Sequence, residues 1–269
     1  MTRKSFIIKA SIITAIAVAL PFVCCEKLSV TYYDIPEPKL SAPVRIAFLS
    51  DLHNTQYGAG MSELINAVDK TSPDAVVFGG DLFDSRWNEK NTQLLIKALV
   101  QRYPCYYAVG NHEFYNNEQD IIMRETAALG VKVLSGTYSE LETNGGTVRF
   151  IGSEKWLGNS TDISAAVSDN AVNILIYHYP EDFPKLKGQG CSLILSGHAH
   201  GGQWRFPPLI NGVYSPGEGF FPKYTSGLYT DGTDRMLVSR GLARTVRDII
   251  FPRVFNRPEL VCITLTPHS

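Results

Sequence analysis

The chain has 269 residues, 44% hydrophobic and 19% charged, with a formal net charge of −1. That length is ample for a buried core, and the composition excludes a disordered or collagen-like chain. The near-neutral balance excludes a protein held to nucleic acid by charge alone, and the absence of repeats or low-complexity tracts leaves the body as one domain.

The N-terminus stands apart. Thr2-Arg3-Lys4 precedes an apolar run, broken by Lys9, that continues from Ala10 to Cys25. A positive start followed by an apolar core is the layout of a secretory signal. Counted from Phe6 the run is also nearly long enough to span a bilayer, which takes about 20 residues. Pro21-Phe22-Val23 before Cys24 lacks the small residue of a good lipoprotein site, and no Ala-x-Ala site follows the core. Residues 1–26 are therefore expected to be a retained membrane anchor or a signal segment, with secretion or lipid attachment as alternatives. Positive charge on the N-terminal side places the body extracytoplasmic. Removing the net +2 of residues 1–26 leaves −3 for the rest, so no nucleic acid partner is expected.

Residues 27–43 read as a linker and edge strand, with Val30-Thr31-Tyr32-Tyr33 followed by three prolines, and residues 44–269 as the globular domain. Apolar, strand-like runs then lead repeatedly into polar clusters. Arg45–Ser50 leads into Asp51-Leu52-His53, Ala75–Phe78 into Gly79-Gly80-Asp81, and Tyr106–Val109 into Gly110-Asn111-His112-Glu113. Helical patterns alternate with them over Met61–Lys70, Asn91–Arg102 (capped by Asn91 and Thr92) and residues 118–129. This is α/β logic. Val131–Leu134, Thr147–Ile151, Met236–Ser239 and Glu259–Leu265 predict a second, more antiparallel set of strands. Cys105, Cys191 and Cys262 lie beside apolar runs and read as buried thiols without a disulfide framework.

Two further runs carry the remaining signal. Asn173–Tyr177 ends at His178, and Leu193–Leu195 leads into Ser196-Gly197-His198-Ala199-His200-Gly201-Gly202-Gln203. Neutral imidazole is the commonest metal ligand, and in an extended segment His198 and His200 would point the same way. Five of the six histidines belong to these clusters; His268 does not. Ligands of open α/β sheets bind outside the carboxyl ends of strands, and five such ends bearing His, Asp or Asn point to metal. Singly, each residue also fits a plain role, such as Asp51 capping the next segment or Asn111 in a turn.

The ordered series Asp51-x-His53, Gly80-Asp81, Gly110-Asn111-His112-Glu113, His178 and Gly197-His198-Ala199-His200 resembles the calcineurin-like metallophosphoesterases, from about Val44 to the C-terminus. The resemblance implies a four-layer αββα sandwich of two mixed sheets flanked by helices. It also implies two divalent metal ions, one held by Asp51, His53 and His200, the other by Asn111, His178 and His198, with Asp81 bridging. Mixed nitrogen and oxygen ligands suit Mn, Fe, Zn or Co. His112 would stabilise or protonate the leaving oxygen, and Asp84 resembles the aspartate that orients this histidine in some members. A turn-capping role near Ser85 is equally open for Asp84.

Beyond Gln203 the chain turns basic, with Arg205, Lys223, Arg235, Arg240, Arg244, Arg247, Arg253 and Arg257. A Pro- and aromatic-rich loop between Trp204 and Tyr224 follows the His198/His200 pair and could wall a substrate pocket. Gln203 and Arg240 stand in pieces that resemble the membrane-tethered bacterial subgroup and are candidates for substrate binding. The reading is a dinuclear phosphoesterase hydrolysing phosphodiester or pyrophosphate bonds of a phosphorylated small-molecule substrate, nucleotide-linked or lipid-linked, with a phosphodiesterase favoured. Its rivals are a phosphomonoesterase and a catalytically idle surface binding protein. Against a protein phosphatase, Asp84 is followed by Ser85, with Arg86 one place late.

Overall fold

The computed structural model describes residues 24, 26–84, 89–117, 119–153, 162–244 and 252–267. Apart from Cys24 and Glu26, the expected anchor or signal lies outside them, and among the described residues no helix is long and apolar enough to cross a membrane. Two six-stranded mixed sheets dominate. The first contains β1 (Ser29–Pro36), β2 (Val44–Leu49), β3 (Ala75–Phe78), β4 (Cys105–Tyr107), β5 (Lys132–Val133) and the last strand, β14 (Glu259–Thr266), in the order β1-β14-β2-β3-β4-β5. The second contains β6 (Tyr138–Thr143), β7 (Gly146–Gly152), β8 (Val172–Ile176), β9 (Leu193–Ser196), β12 (Gly227–Asp231) and β13 (Asp234–Val238), in the order β12-β13-β9-β8-β7-β6. A two-stranded ribbon, β10 (Tyr214–Ser215) and β11 (Gly219–Phe220), completes the strands.

The inner strands are short, Val- and Ile-rich and buried throughout, as parallel strands covered on both faces must be. The edge strand β6 instead alternates between exposed and half-buried residues. Facing side chains of the two sheets, among them Ile46, Phe48, Val77, Phe150, Ile174 and Leu195, form one core between them. Full burial of each such side chain contributes about 1.5–3 kcal/mol.

Outside the first sheet lie α1 (Ser62–Thr71), α2 (Lys90–Leu99) and α3 (Gln119–Ala128). Leu64, Ile65 and Val68 of α1 and Leu95, Ile96 and Leu99 of α2 recur at three- and four-residue spacing and bury one stripe against that sheet. Outside the second sheet the described cover is thin: the four-residue α4 (Phe183–Leu186), short 3-10 turns, Ile163 and Tyr224. Four layers result.

Three details differ from the sequence reading. β5 and β14 belong to the first sheet: β5 pairs parallel with β4, while β14 lies between β1 and β2. Crossover through α3 returns the chain parallel to its last strand, and β14, buried on both faces, requires a central place. The second sheet is parallel in its interior, from β7 to β13, and antiparallel only at its two edges. Asn91 and Thr92 do not cap α2. Asn91 donates to the Asn54 carbonyl at 2.9 Å, and the Thr92 hydroxyl lies 2.6 Å from Asn54 Oδ1 and 2.9 Å from the Leu82 carbonyl. Both residues brace two loops of the site described next.

Candidate metal centre

Ligand-type side chains stand just past the carboxyl ends of five strands. β2 leads to Asp51 and His53, β3 to Asp81, β4 to Asn111 and His112, β8 to His178, and β9 to His198 and His200. Within each sheet these strands run parallel, so their ends open onto one crevice. His198 and His200 converge through turns rather than strand alternation: β9 ends at Ser196, and the two residues have φ of 63° and 47°.

The backbone here is unusual. Seven of the eleven non-glycine positive-φ residues among the described ones are Asp51, His53, Asn54, Asp81, His198, His200 and Gln203. Each costs on the order of 1–3 kcal/mol and persists only where its surroundings enforce it. Close packing enforces it here. A methyl group at Gly110 would stand 2.2 Å from Asp81 Oδ1, and one at Gly197 would stand 1.9 Å from Ser50 Oγ.

Three overlapping groups of donor atoms form, each within 4.8 Å of one another: Asp51, His53 and His200; His53, Asp81 and His112; Asp81, His178 and His198. His178 Nδ1 donates to the Gly79 carbonyl at 2.7 Å, which turns its Nε2 to within 3.1 Å of Asp81 Oδ2. Asp51 is 0% exposed; its Oδ2 accepts from Ser50 Oγ at 2.6 Å and its Oδ1 from the His198 amide at 2.9 Å. Asn111 is buried between Gly110 and His112, whose amides bond Glu113 Oε2 at 2.7 Å and Asp81 Oδ1 at 2.8 Å.

These residues fit a bound cation. Both ring nitrogens of His53 and Nδ1 of His200 are buried without a hydrogen-bond partner, and His178 Nε2 and Asp81 Oδ2 have only each other, a cost that coordination would relieve. Burial disfavours a charged His178, yet the Asp81 and Asp51 carboxylates outweigh it and raise its pKa to about 10, which shows a field that favours positive charge. His200 is held well below the usual range by burial, His53 and Arg253, so its ring stays in the neutral, ligating form.

Asp84 Oδ2 lies 3.6 Å from Nδ1 of both His53 and His112; Ser85, the alternative partner, lies outside the described residues. Burial opposes a charge on His112, but Asp84, Asp81 and Glu113 prevail and raise its pKa. Gln203 is buried at positive φ directly after the His200 turn, and its carbonyl accepts from Asn256. Arg240 is engaged elsewhere, with Glu259 at 3.0 Å and Ser29 Oγ at 2.9 Å, tying β1 to β14.

Three supporting residues had no assigned role in the sequence reading. Glu113 is fully buried and accepts the amides of Asp81 (3.0 Å), Phe83 (3.1 Å) and Gly110 (2.7 Å), fixing two ligand loops with one carboxylate. Its place in an Asn-His-Glu run was the available signal. Asn256 Nδ2 donates to the carbonyls of His200 at 2.7 Å and Gln203 at 3.1 Å, clamping the turn that bears a ligand. Arg253 is fully buried, bonds the Arg240 carbonyl at 2.7 Å, and is pulled down to about 10 by burial.

Residues 44–202 match the Calcineurin-like phosphoesterase family. Metallophosphoesterase YkoQ of Bacillus subtilis is 28% identical over 224 residues, covering 81% of this chain and 82% of its own length. Phosphodiesterase YaeI of Escherichia coli is 27% identical over 232 residues, covering 84% and 83%. Among solved structures, NAD nucleotidase of Haemophilus influenzae superposes with a TM-score of 0.51 at 14% identity, over 75% of this chain and 46% of its own. GAP50 of Plasmodium gives 0.51 at 11% identity, over 84% and 82%. At such identities the structures speak for the fold alone.

Proposed function

The chain belongs to the calcineurin-like phosphoesterases, a metal-dependent phosphoric ester hydrolase family, and from that premise we propose a dinuclear phosphodiesterase acting on phosphodiester or pyrophosphate bonds. The observation that supports this reading is the overlap of the donor groups: His53 and Asp81 each belong to two of them, and of these Asp81 is the carboxylate, with two oxygens to share between ions. Asp51, His53 and His200 would hold one ion and Asn111, His178 and His198 the other. Bound there, divalent ions such as Mn, Fe, Zn or Co would neutralise phosphate charge and lower the pKa of water.

The protein's own part centres on His112. Geometry groups it with His53 and Asp81, but it is also the openest of these rings, with 14% of its side chain exposed against 5% for His53, 1% for His178 and 8% for His200. With Asp84 beside Nδ1, it is suited to hand a proton to the departing oxygen. Preference for a diester is supported by the likeness to YaeI, named a phosphodiesterase. In this reading the body works outside the cytoplasm, tethered by residues 1–26, on a nucleotide- or lipid-linked substrate.

The test is Mn reconstitution of the chain with bis-p-nitrophenyl phosphate assayed beside p-nitrophenyl phosphate. Faster diester cleavage is expected. Faster monoester cleavage would overturn the diester preference, and metal binding with no turnover of either would revive the idle-binder rival. Metal content that never exceeds one equivalent would overturn the dinuclear centre.

A further inference from the structure

Ten large apolar side chains stand exposed on the described surface, and six of them are Phe206, Leu209, Tyr214, Phe220, Phe221 and Phe255. Scattered exposure is ordinary; a cluster of this kind marks a contact surface. Leu209 is 88%, Phe220 75% and Phe221 70% exposed, so the cluster's tip is almost wholly in solvent. The rings hold together, with Phe206 against Phe255 at 6.1 Å and Tyr214 against Phe220 at 5.5 Å.

The cluster is a built feature. Phe206 and Ile210 exchange backbone hydrogen bonds, the Phe221 amide donates to Val213, and Arg205 grips Asn211 through its carbonyl and Oδ1. Phe221 and Phe255 sit at φ of 55° and 48°, a conformation that bulky side chains avoid. Backbone free energy is therefore spent to hold aromatic rings where none of the described residues covers them.

Position and charge indicate the occupant. Arg257, two residues from Phe255, donates to the Lys27 and Leu28 carbonyls at 2.9 and 2.8 Å. The apolar sequence ending at Cys25 thus joins the body beside the rim. Lys27, Arg205, Lys223 and Arg257 place cations on or beside the rim's own segments, among Glu26, Glu218 and the Glu181 carboxylate that lies against Gly217, so that cations are available to lipid phosphates. The rim is also continuous with the metal centre: Val213 donates to Gly202 and Trp204, and Trp204 bridges Val254, in the turn that follows His200.

We propose that this aromatic rim is a lipid-docking surface that inserts into an anionic bilayer and sets the metal centre beside the headgroups. Insertion stands on the rim alone; only the consequence for substrate, a phosphate ester presented at the bilayer surface, rests on the phosphoesterase reading.

The experiment uses the full chain and vesicles of about three parts phosphatidylcholine to one part phosphatidylglycerol, with and without brominated phosphatidylcholine. Leu209→Trp places a reporter at the tip, and Tyr138→Trp places one on β6, at the far edge of the second sheet from β12. Emission is read as the difference from the parent chain. Brominated lipid is expected to quench the Leu209→Trp reporter at least about threefold more than the Tyr138→Trp reporter, and Phe220→Ser with Phe221→Ser to remove most of that difference. Equal quenching at the two positions, as when the apolar N-terminal sequence covers the rim or alone holds the membrane, would overturn the proposal. So would a Leu209→Trp signal indifferent to the two serines. Turnover of a water-soluble diester by the parent chain tests the phosphoesterase reading separately and does not enter this readout.

Discussion

The two sheets meet at one centre but contribute to it differently. The first, sealed outside by three amphipathic helices, supplies Asp51, His53, Asp81, Asn111 and His112, and with them every carboxylate. The second, thinly covered among the described residues, supplies three imidazoles, His178, His198 and His200. Bonds across the seam join them: the His198 amide to Asp51, and His178 Nδ1 to the Gly79 carbonyl. Two of the three donor groups draw on both sheets, so docking the sheets through the shared apolar core also assembles those groups. The firm half carries the carboxylates. The lighter half carries imidazoles alone and leads into the exposed rim.

Breaking the carboxylate common to two donor groups gives the largest effect. Asp81→Asn is expected to lower kcat/KM by about 10³ or more and to reduce bound metal below two equivalents, checked by metal analysis beside diester kinetics. Full activity in that variant would refute the bridge. His112→Ala separates proton handling from ligation: metal content should hold while kcat falls by roughly 10²–10⁴. Loss of metal instead would make His112 a ligand.

What the sequence made legible follows the same division. Strand-end clusters such as Gly80-Asp81 and Gly110-Asn111-His112 are local, because each follows its own strand directly and parallel strands deliver their carboxyl ends to one edge. The interior β2, β3 and β4, with α1 to α3, were readable from periodicity. Membership of β14 in the first sheet was not, since an apolar run buried on both faces fits either sheet. Nor were Asn256 and Glu113 readable as supports. Asn256 acts through carbonyls more than fifty positions away in sequence, and Glu113 acts through amides whose place depends on strained turns. Arg240, basic and near a suggestive motif, serves an ion pair that only the β1–β14 register creates.

Each half has one such support, and their loss should differ in kind. Glu113→Gln keeps one oxygen and sets an amide NH₂ against at least one of the three backbone donors that now share the carboxylate, the Phe83 amide in the better orientation. A stability loss of about 2–3 kcal/mol in denaturant titration is expected, with activity reduced in step. Asn256→Ala removes two bonds from the His200 turn and leaves the first sheet untouched. It should weaken metal affinity by about tenfold with little change in stability. An Asn256→Ala chain with native affinity would show that the turn holds itself.

The smallest effect compares the covers of the two sheets directly. Cys105 lies on β4 under the helices at 2% exposure, and Cys191, half-buried, precedes β9 under the thin layer, where a fully buried thiol was expected. Burial pushes both thiols up from 9.0 to about 12, so at pH 8 each is almost wholly protonated and slow towards disulfide reagents. The sign is that of an acid kept neutral by folding: the stability it contributes is complete below about pH 9 and is lost as pH rises towards 12. Equal pKa shifts predict equal reactivity only if access is equal. If the second sheet's cover opens more readily, Cys191 should label in denaturant well below the unfolding midpoint while Cys105 labels only with global unfolding. Peptide mapping of labelled sites across a urea series would show it, and simultaneous labelling would mean that the two halves open as one cooperative unit.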